Sequence, residues 1–211
     1  MKTSVPRALA ISDRASLPGS DLVDWARRLV IAGVEAIQVR EKDLSGKDLY
    51  ALASRMRSVR PAIKTLSING RLDVALASNA SGVHLPESSA PLARIRGRYP
   101  ELLLGKSCHT LEQVADALEA GADYVTYGPV FAPLSKVSSL PPVGLEELGT
   151  ACSIGIPVLA LGGVTAERLQ GIASTGASGI AGIGLFHAPE ALGWVMTAVR
   201  ELFDHGGAGE I

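Results

Sequence analysis

The stretch Pro157-Val158-Leu159-Ala160-Leu161-Gly162-Gly163-Val164-Thr165 holds the repeating unit of this chain: a short apolar run, a glycine turn, and a threonine where a helix can begin. A run this short, bounded by turn formers, reads as a buried strand rather than a helix. Thr165-Ala166-Glu167-Arg168 then opens a helical segment. Working outward, runs of the same kind lie at 8–11, 36–39, 65–68, 82–85, 102–104, 124–127 and 179–183. Helical periods fill the spaces between. Asp21 to Ala32 sets Leu22, Trp25, Ala26, Leu29 and Val30 on one face, and Lys47 to Val59 does the same with Leu49, Leu52, Ala53 and Met56. Thr110 and Gln113 have capping-box spacing. Short helices are expected near 72–78 and 91–98, and a last one over 189–203.

Strands alternating with helices imply a parallel sheet, and eight such units imply closure. The expectation is an α/β protein forming a single (β/α)8 TIM barrel over 1–211, ordered over about 5–204, with a frayed tail from His205. An open doubly wound sheet is the alternative, but no glycine fingerprint follows Ile11. One connection is long: Gly128 to Gly144, with prolines at 129, 133, 141 and 142, has the length of a lid over a site.

Composition narrows the function. With 20 Lys+Arg against 21 Asp+Glu in 211 residues, the net charge of −1 argues against a general nucleic-acid or anionic-membrane binder. No apolar run approaches the length of a membrane span, and Met1 to Arg7 lacks the apolar core of a signal peptide, so a cytoplasmic protein is expected. Cys108 and Cys152 stand apart, without CxxC spacing. Two buried free thiols are the favoured reading and one disulfide the alternative.

In a barrel of this kind the site lies at the C-terminal ends of the strands. Asp13 follows the first run; Arg40, Glu41 and Lys42 the second; Asn69, Gly70 and Arg71 the third; Ser107 and His109 the fifth; Lys136 lies in the long connection. Arg40, Lys42 and Lys136 on one face, with few matching carboxylates, point to an anionic ligand. The glycines after the last two runs point the same way: Gly162-Gly163 and Gly182-Ile183-Gly184 let backbone N–H groups approach a phosphate, and helix N-termini add favourable partial charge. Tight turns in a crowded barrel are the competing reason for glycine there. His84, inside a strand, reads as a hydrogen-bonded structural residue, while His109 is balanced between a residue leading into a helix and a proton carrier. No His/Asp/Cys cluster has metal-ligand spacing, so no metal ligand is expected.

Gln38-Val39-Arg40-Glu41-Lys42, Gly82-Val83-His84-Leu85, Gly128-Pro129-Val130-Phe131 with Lys136, and Leu161-Gly162-Gly163-Val164 together resemble the thiamine-phosphate synthase and TenI superfamily along nearly the whole chain. The resemblance implies a TIM barrel and a small phosphorylated thiazole or pyrimidine as ligand, with a homo-oligomer left open. It implies Arg40, Lys42, Asn69, Ser107 and Lys136 around a diphosphate, Gly162, Gly163, Gly182, Ile183 and Gly184 on a thiazole phosphate, and Gln38 among the substrate-binding residues. The synthases join a pyrimidine diphosphate to a thiazole phosphate with loss of pyrophosphate, aided by Mg²⁺. Where they carry two metal aspartates this chain has Gly70 and Ser89, with Glu87 the one nearby carboxylate. Those departures resemble the TenI branch, thiazole tautomerases that move a proton without a metal. That branch's catalytic histidine falls at Pro129 here, which leaves His109 and Lys136 as the catalytic candidates. The expectation is a metal-independent thiazole tautomerase with no cofactor. The alternatives are an atypical thiamine-phosphate synthase, which would call for Mg²⁺, and a non-catalytic phosphate binder.

Overall fold

The computed structural model describes residues 4–17, 21–132, 140–187 and 192–203. Eight parallel strands close into a barrel in sequence order, β1 pairing with β8 as well as β2. The strands are β1 Ala8–Ile11, β2 Ala36–Val39, β3 Thr65–Asn69, β4 Gly82–Leu85, β5 Leu103–Cys108, β6 Tyr124–Tyr127, β7 Val158–Leu161 and β8 Gly179–Gly182. The helices are α1 Leu22–Ile31, α2 Gly46–Arg57, α3 Leu72–Ala77, α4 Leu92–Arg98, α5 Leu111–Glu119, α6 Gly144–Cys152, α7 Leu169–Ala173 and α8 Leu192–Phe203.

Helix starts follow local chemistry. Asp21 accepts from the Val23 N–H at 2.7 Å, and Thr110 Oγ1 accepts from the Gln113 N–H at 3.2 Å. The reciprocal half of the expected capping box is shifted by one residue, since Gln113 Oε1 accepts from the His109 N–H at 2.7 Å.

Strand alternation divides the interior in two. Ile37, Leu66, Val83, Leu104, Val125 and Val158 face the helix layer and form the larger core with Trp25, Leu29, Met56 and Val199. Leu9, Ile11, Ala36, Leu103, Tyr124, Leu159 and Ala181 fill the inside of the barrel. Beneath the sheet, Asp123 is 10% exposed; it accepts from the Leu104 N–H at 2.7 Å and from Arg96 Nη2 at 2.6 Å. The same guanidinium donates to the carbonyls of Gly121, Pro100 and Leu102, tying α4 to the starts of β5 and β6.

Several expected boundaries are corrected. β5 runs four residues past Leu104, so Ser107 sits inside a strand rather than after one. Gly182 ends β8 instead of following it. The seventh helical segment begins as a 3₁₀ turn, Ala166–Arg168, before α7. Residues 188–191, where the last helix was expected to start, lie outside the described residues, as do residues 133–139 of the long connection and the tail from 204. Both cysteines are free; Cys108 is buried as expected, but Cys152 is only half-buried. Burial pushes the Cys108 thiol up to about 12. No helix among the described residues is long and apolar enough to cross a membrane.

Candidate active site

Toward the C-terminal end of the barrel the interior turns polar. His84 on β4 is buried, with Nδ1 3.2 Å from the Tyr124 hydroxyl and Nε2 3.0 Å from Ser107 Oγ and 3.4 Å from Thr126 Oγ1. Gly105 makes this meeting possible: a Cβ there would lie 2.3 Å from the Tyr124 ring and 2.5 Å from His84 Nδ1. Burial first, then the charges of Lys106 and Arg40, lower the imidazole from 6.5 to about 3, so His84 is neutral at physiological pH. The expectation of a structural histidine holds.

On the neighbouring strands, Gln38 Nε2 donates to Asn69 Oδ1 at 3.1 Å, so two expected ligand residues meet across β2 and β3. Gln38 Oε1 is buried and has no hydrogen-bond partner. Arg40 is half-buried, and its backbone N–H donates to Ser12 Oγ at 2.9 Å. Glu41, inside the same motif, is structural: its carboxylate accepts from Ser12 Oγ at 2.5 Å and from the Arg14 N–H at 3.3 Å, binding the ends of β1 and β2. Lys42 is exposed and lines a recess of about 200 Å³ with Asn69, Gly70 and Arg71. Arg71 is committed to Asp73 by two hydrogen bonds, at 2.9 and 2.6 Å.

His109 is half-buried. Its Nδ1 donates to the Gly128 carbonyl, which fixes the proton on that nitrogen and leaves Nε2 to exchange one. Lys136 lies outside the described residues.

The late glycines fall into two kinds. Gly162 and Gly163 have φ of +97° and +61°, and Cβ atoms there would meet Pro129 at 2.6 Å and Ala132 O at 2.7 Å. The fold itself requires this pair to be glycine. At Gly184 a Cβ would meet nothing within 4 Å, and at Gly182 only the Phe186 ring at 3.8 Å. There glycine leaves open space at the barrel mouth. Arg168, which the sequence reading passed over, closes the β7 side: Nη1 donates to the Gly163 carbonyl at 2.5 Å and the guanidinium stacks 4.4 Å from the Phe131 ring centroid.

The residues present do not fit a carboxylate-held Mg²⁺. Among the described residues no group of three or more His, Cys, Asp or Glu could hold a metal ion. Gly70 and Ser89 occupy the two expected aspartate positions, and Glu87 Oε1 accepts from Gln113 Nε2 at 2.6 Å. Lys106, also unmarked in the sequence, donates to Ser89 Oγ at 3.1 Å.

The architecture and the side chains at its C-terminal end define a closed (β/α)8 barrel with a basic, glycine-lined mouth. The chain belongs to the thiamine monophosphate synthase family, whose profile matches residues 8–186. A protein of Aquifex aeolicus (strain VF5), provisionally named thiamine-phosphate synthase 2, is 41% identical over 187 residues, covering 86% of this chain and 98% of its own length. The thiamine-phosphate synthase of Syntrophomonas wolfei is 37% identical over 174 residues, covering 81% of this chain and 83% of its own. Among solved structures, a thiamine phosphate pyrophosphorylase from Pyrococcus furiosus superposes with a TM-score of 0.80 at 29% identity, covering 96% of this chain and 97% of that one. Family membership places the chain in thiamine biosynthesis. The relatives carry synthase names, so the lean toward the tautomerase branch finds no support in them.

Proposed function

We propose that this chain is an atypical thiamine-phosphate synthase: it binds a thiazole phosphate and a pyrimidine diphosphate at the barrel mouth, and joins them with loss of pyrophosphate. The names of its relatives support this reading over the tautomerase. The observation that carries it is the Gln38–Asn69 pair beside Arg40, with Gln38 Oε1 buried and unpartnered. That oxygen accepts a ligand N–H or O–H, while Arg40 and Lys42 supply positive charge for a diphosphate. The thiazole phosphate takes the space at Gly182, Ile183 and Gly184, where backbone N–H groups approach without side chains in the way. Departing pyrophosphate gathers negative charge, and with neutral residues at 70 and 89 the described groups that answer it are Arg40 and Lys42. This synthase is therefore atypical in not relying on a carboxylate-held ion.

One observation favours a second reading, a metal-independent thiazole tautomerase. The Gly128 carbonyl orients His109, and the neighbouring residue, Pro129, stands where the tautomerase branch has its histidine. His109 Nε2 would then carry the proton between thiazole positions.

Incubating the purified chain with both substrates, with Mg²⁺ or with EDTA, tests the proposal. Thiamine phosphate formed in EDTA at no less than about a tenth of the Mg²⁺ rate supports it, since a metal ion contributing several kcal/mol would produce a larger gap. Absence of product, together with proton exchange on a thiazole phosphate carboxylate followed by NMR in D₂O, moves the assignment to the tautomerase.

A further inference from the structure

We propose that Lys106 is a resident cation of the β4–α4 segment, and that its ammonium excludes a divalent ion from the place where the family resemblance puts a metal-binding aspartate. The side chain leaves β5 on the helix-facing side and ends among three neutral oxygens. Nζ donates to the Pro86 carbonyl at 2.9 Å, the Glu87 carbonyl at 3.0 Å and Ser89 Oγ at 3.1 Å. An ammonium has three donors, and each has an acceptor here. Among the described residues no carboxylate forms an ion pair with it. Glu87, the one acid between 86 and 91, turns its carboxylate to Gln113 instead.

The all-oxygen shell is the kind a hard cation takes, supplied here to a covalently tethered charge. Two consequences follow from placement alone. A divalent ion beside Ser89 would face an ammonium at close range, and an aspartate introduced at 89 would pair with Lys106 before it could bind metal. Restoring both aspartates is therefore not enough to restore a metal site; the lysine must also go. Position 70 holds no competing cation: a Cβ there lies in ordinary contact, 3.5 Å from the Pro86 ring, and the cost of aspartate is the strain of the left-handed φ of +68°.

The inference rests on the reading of the mouth as free of a carboxylate-held ion, but its test needs no substrate, so failure of the transfer assay leaves it readable. Mn²⁺ is titrated, with electron paramagnetic resonance as the readout, into the parent chain, Gly70→Asp/Ser89→Asp, and Gly70→Asp/Ser89→Asp/Lys106→Met. The triple variant is expected to bind at least about tenfold more tightly than the double, and the parent not to bind saturably. Equal affinity in the double and triple variants, or no binding by the triple, overturns the proposal. Should the triple variant not fold, amide hydrogen exchange of residues 86–90 in Lys106→Gln decides. Exchange about tenfold faster than in the parent supports the ammonium as the group holding this segment, and unchanged protection overturns it.

Discussion

The Ser107 hydroxyl lies 3.0 Å from Nε2 of His84, so a residue the resemblance assigns to a diphosphate is already bonded within the barrel. The imidazole it touches is neutral because it is buried, and that neutrality has a cost in acid. The folded chain refuses a proton down to about pH 3, whereas the unfolded chain accepts one below about 6.5. Stability is therefore complete above 6.5 and falls as pH drops toward 3, at up to about 1.4 kcal/mol per pH unit. Half-buried His187, also lowered by burial, acts in the same direction. Urea midpoints from pH 4 to 7.5 should show this slope, and His84→Gln should flatten it. Equal slopes in both proteins would remove His84 as the cause.

Arg40→Ala should weaken binding of the pyrimidine diphosphate by about 10- to 100-fold, the range expected on losing a charge-assisted hydrogen bond. Thiazole phosphate affinity should fall by less, because the proposed subsite for that ligand is at β8, with β1 between it and Arg40. Calorimetry with each ligand separately measures both. A parallel loss would place the two phosphates in one subsite.

Gly184→Asp should abolish thiazole phosphate binding while leaving the melting temperature nearly unchanged, since the new side chain enters open space and sets a carboxylate against the ligand. Gly163→Asp is a poor substitute: it strains a φ of +61° and drives Cβ into the Phe131 side chain at 2.8 Å, so it should fail by unfolding. Full affinity in a folded Gly184→Asp protein would move the phosphate away from β8.

Asp123→Ala should destabilise the barrel by about 3–5 kcal/mol, because it strands the largely buried Arg96 charge. Chemical denaturation measures this. Activity per folded molecule should be unchanged, because the pair lies at the opposite end of the strands from the mouth.

The closed barrel was legible because each strand announces itself as a short apolar run, and period-2 alternation explains both the helix-facing and the interior cores. The misjudged end of β5 is instructive. Gly105 and Lys106 are poor strand formers, so the run ended at Leu104 in sequence, yet pairing of Leu85 with Lys106 and of Lys106 with Val125 carries the strand on to Cys108. That same misreading hid Lys106, whose partners come from another strand's loop. The burial and bonding of His84 were legible from its place inside a strand, and the motif set Gln38 and Asn69 on adjoining strands where they meet. Arg168 was not, because its stacking on Phe131 exists only once the β6 and β7 connections are brought together. Gly162 and Gly163 read in sequence as a phosphate cradle, with tight turns the competing reason; only the approach of Pro129 and Ala132 shows that packing alone demands glycine there.

The grip of Lys106 on Ser89 also bears on how a metal site could be built here. An aspartate at 70 meets the strain of a left-handed backbone, whereas one at 89 would, on the proposed role of Lys106, gain an internal ion pair and no ligand. The order of substitutions then matters: the lysine has to be lost before the aspartate at 89 can be of use, and its loss alone loosens a loop with no immediate return. On the proposed role, Lys106 makes a metal site at 89 depend on two coupled substitutions rather than one.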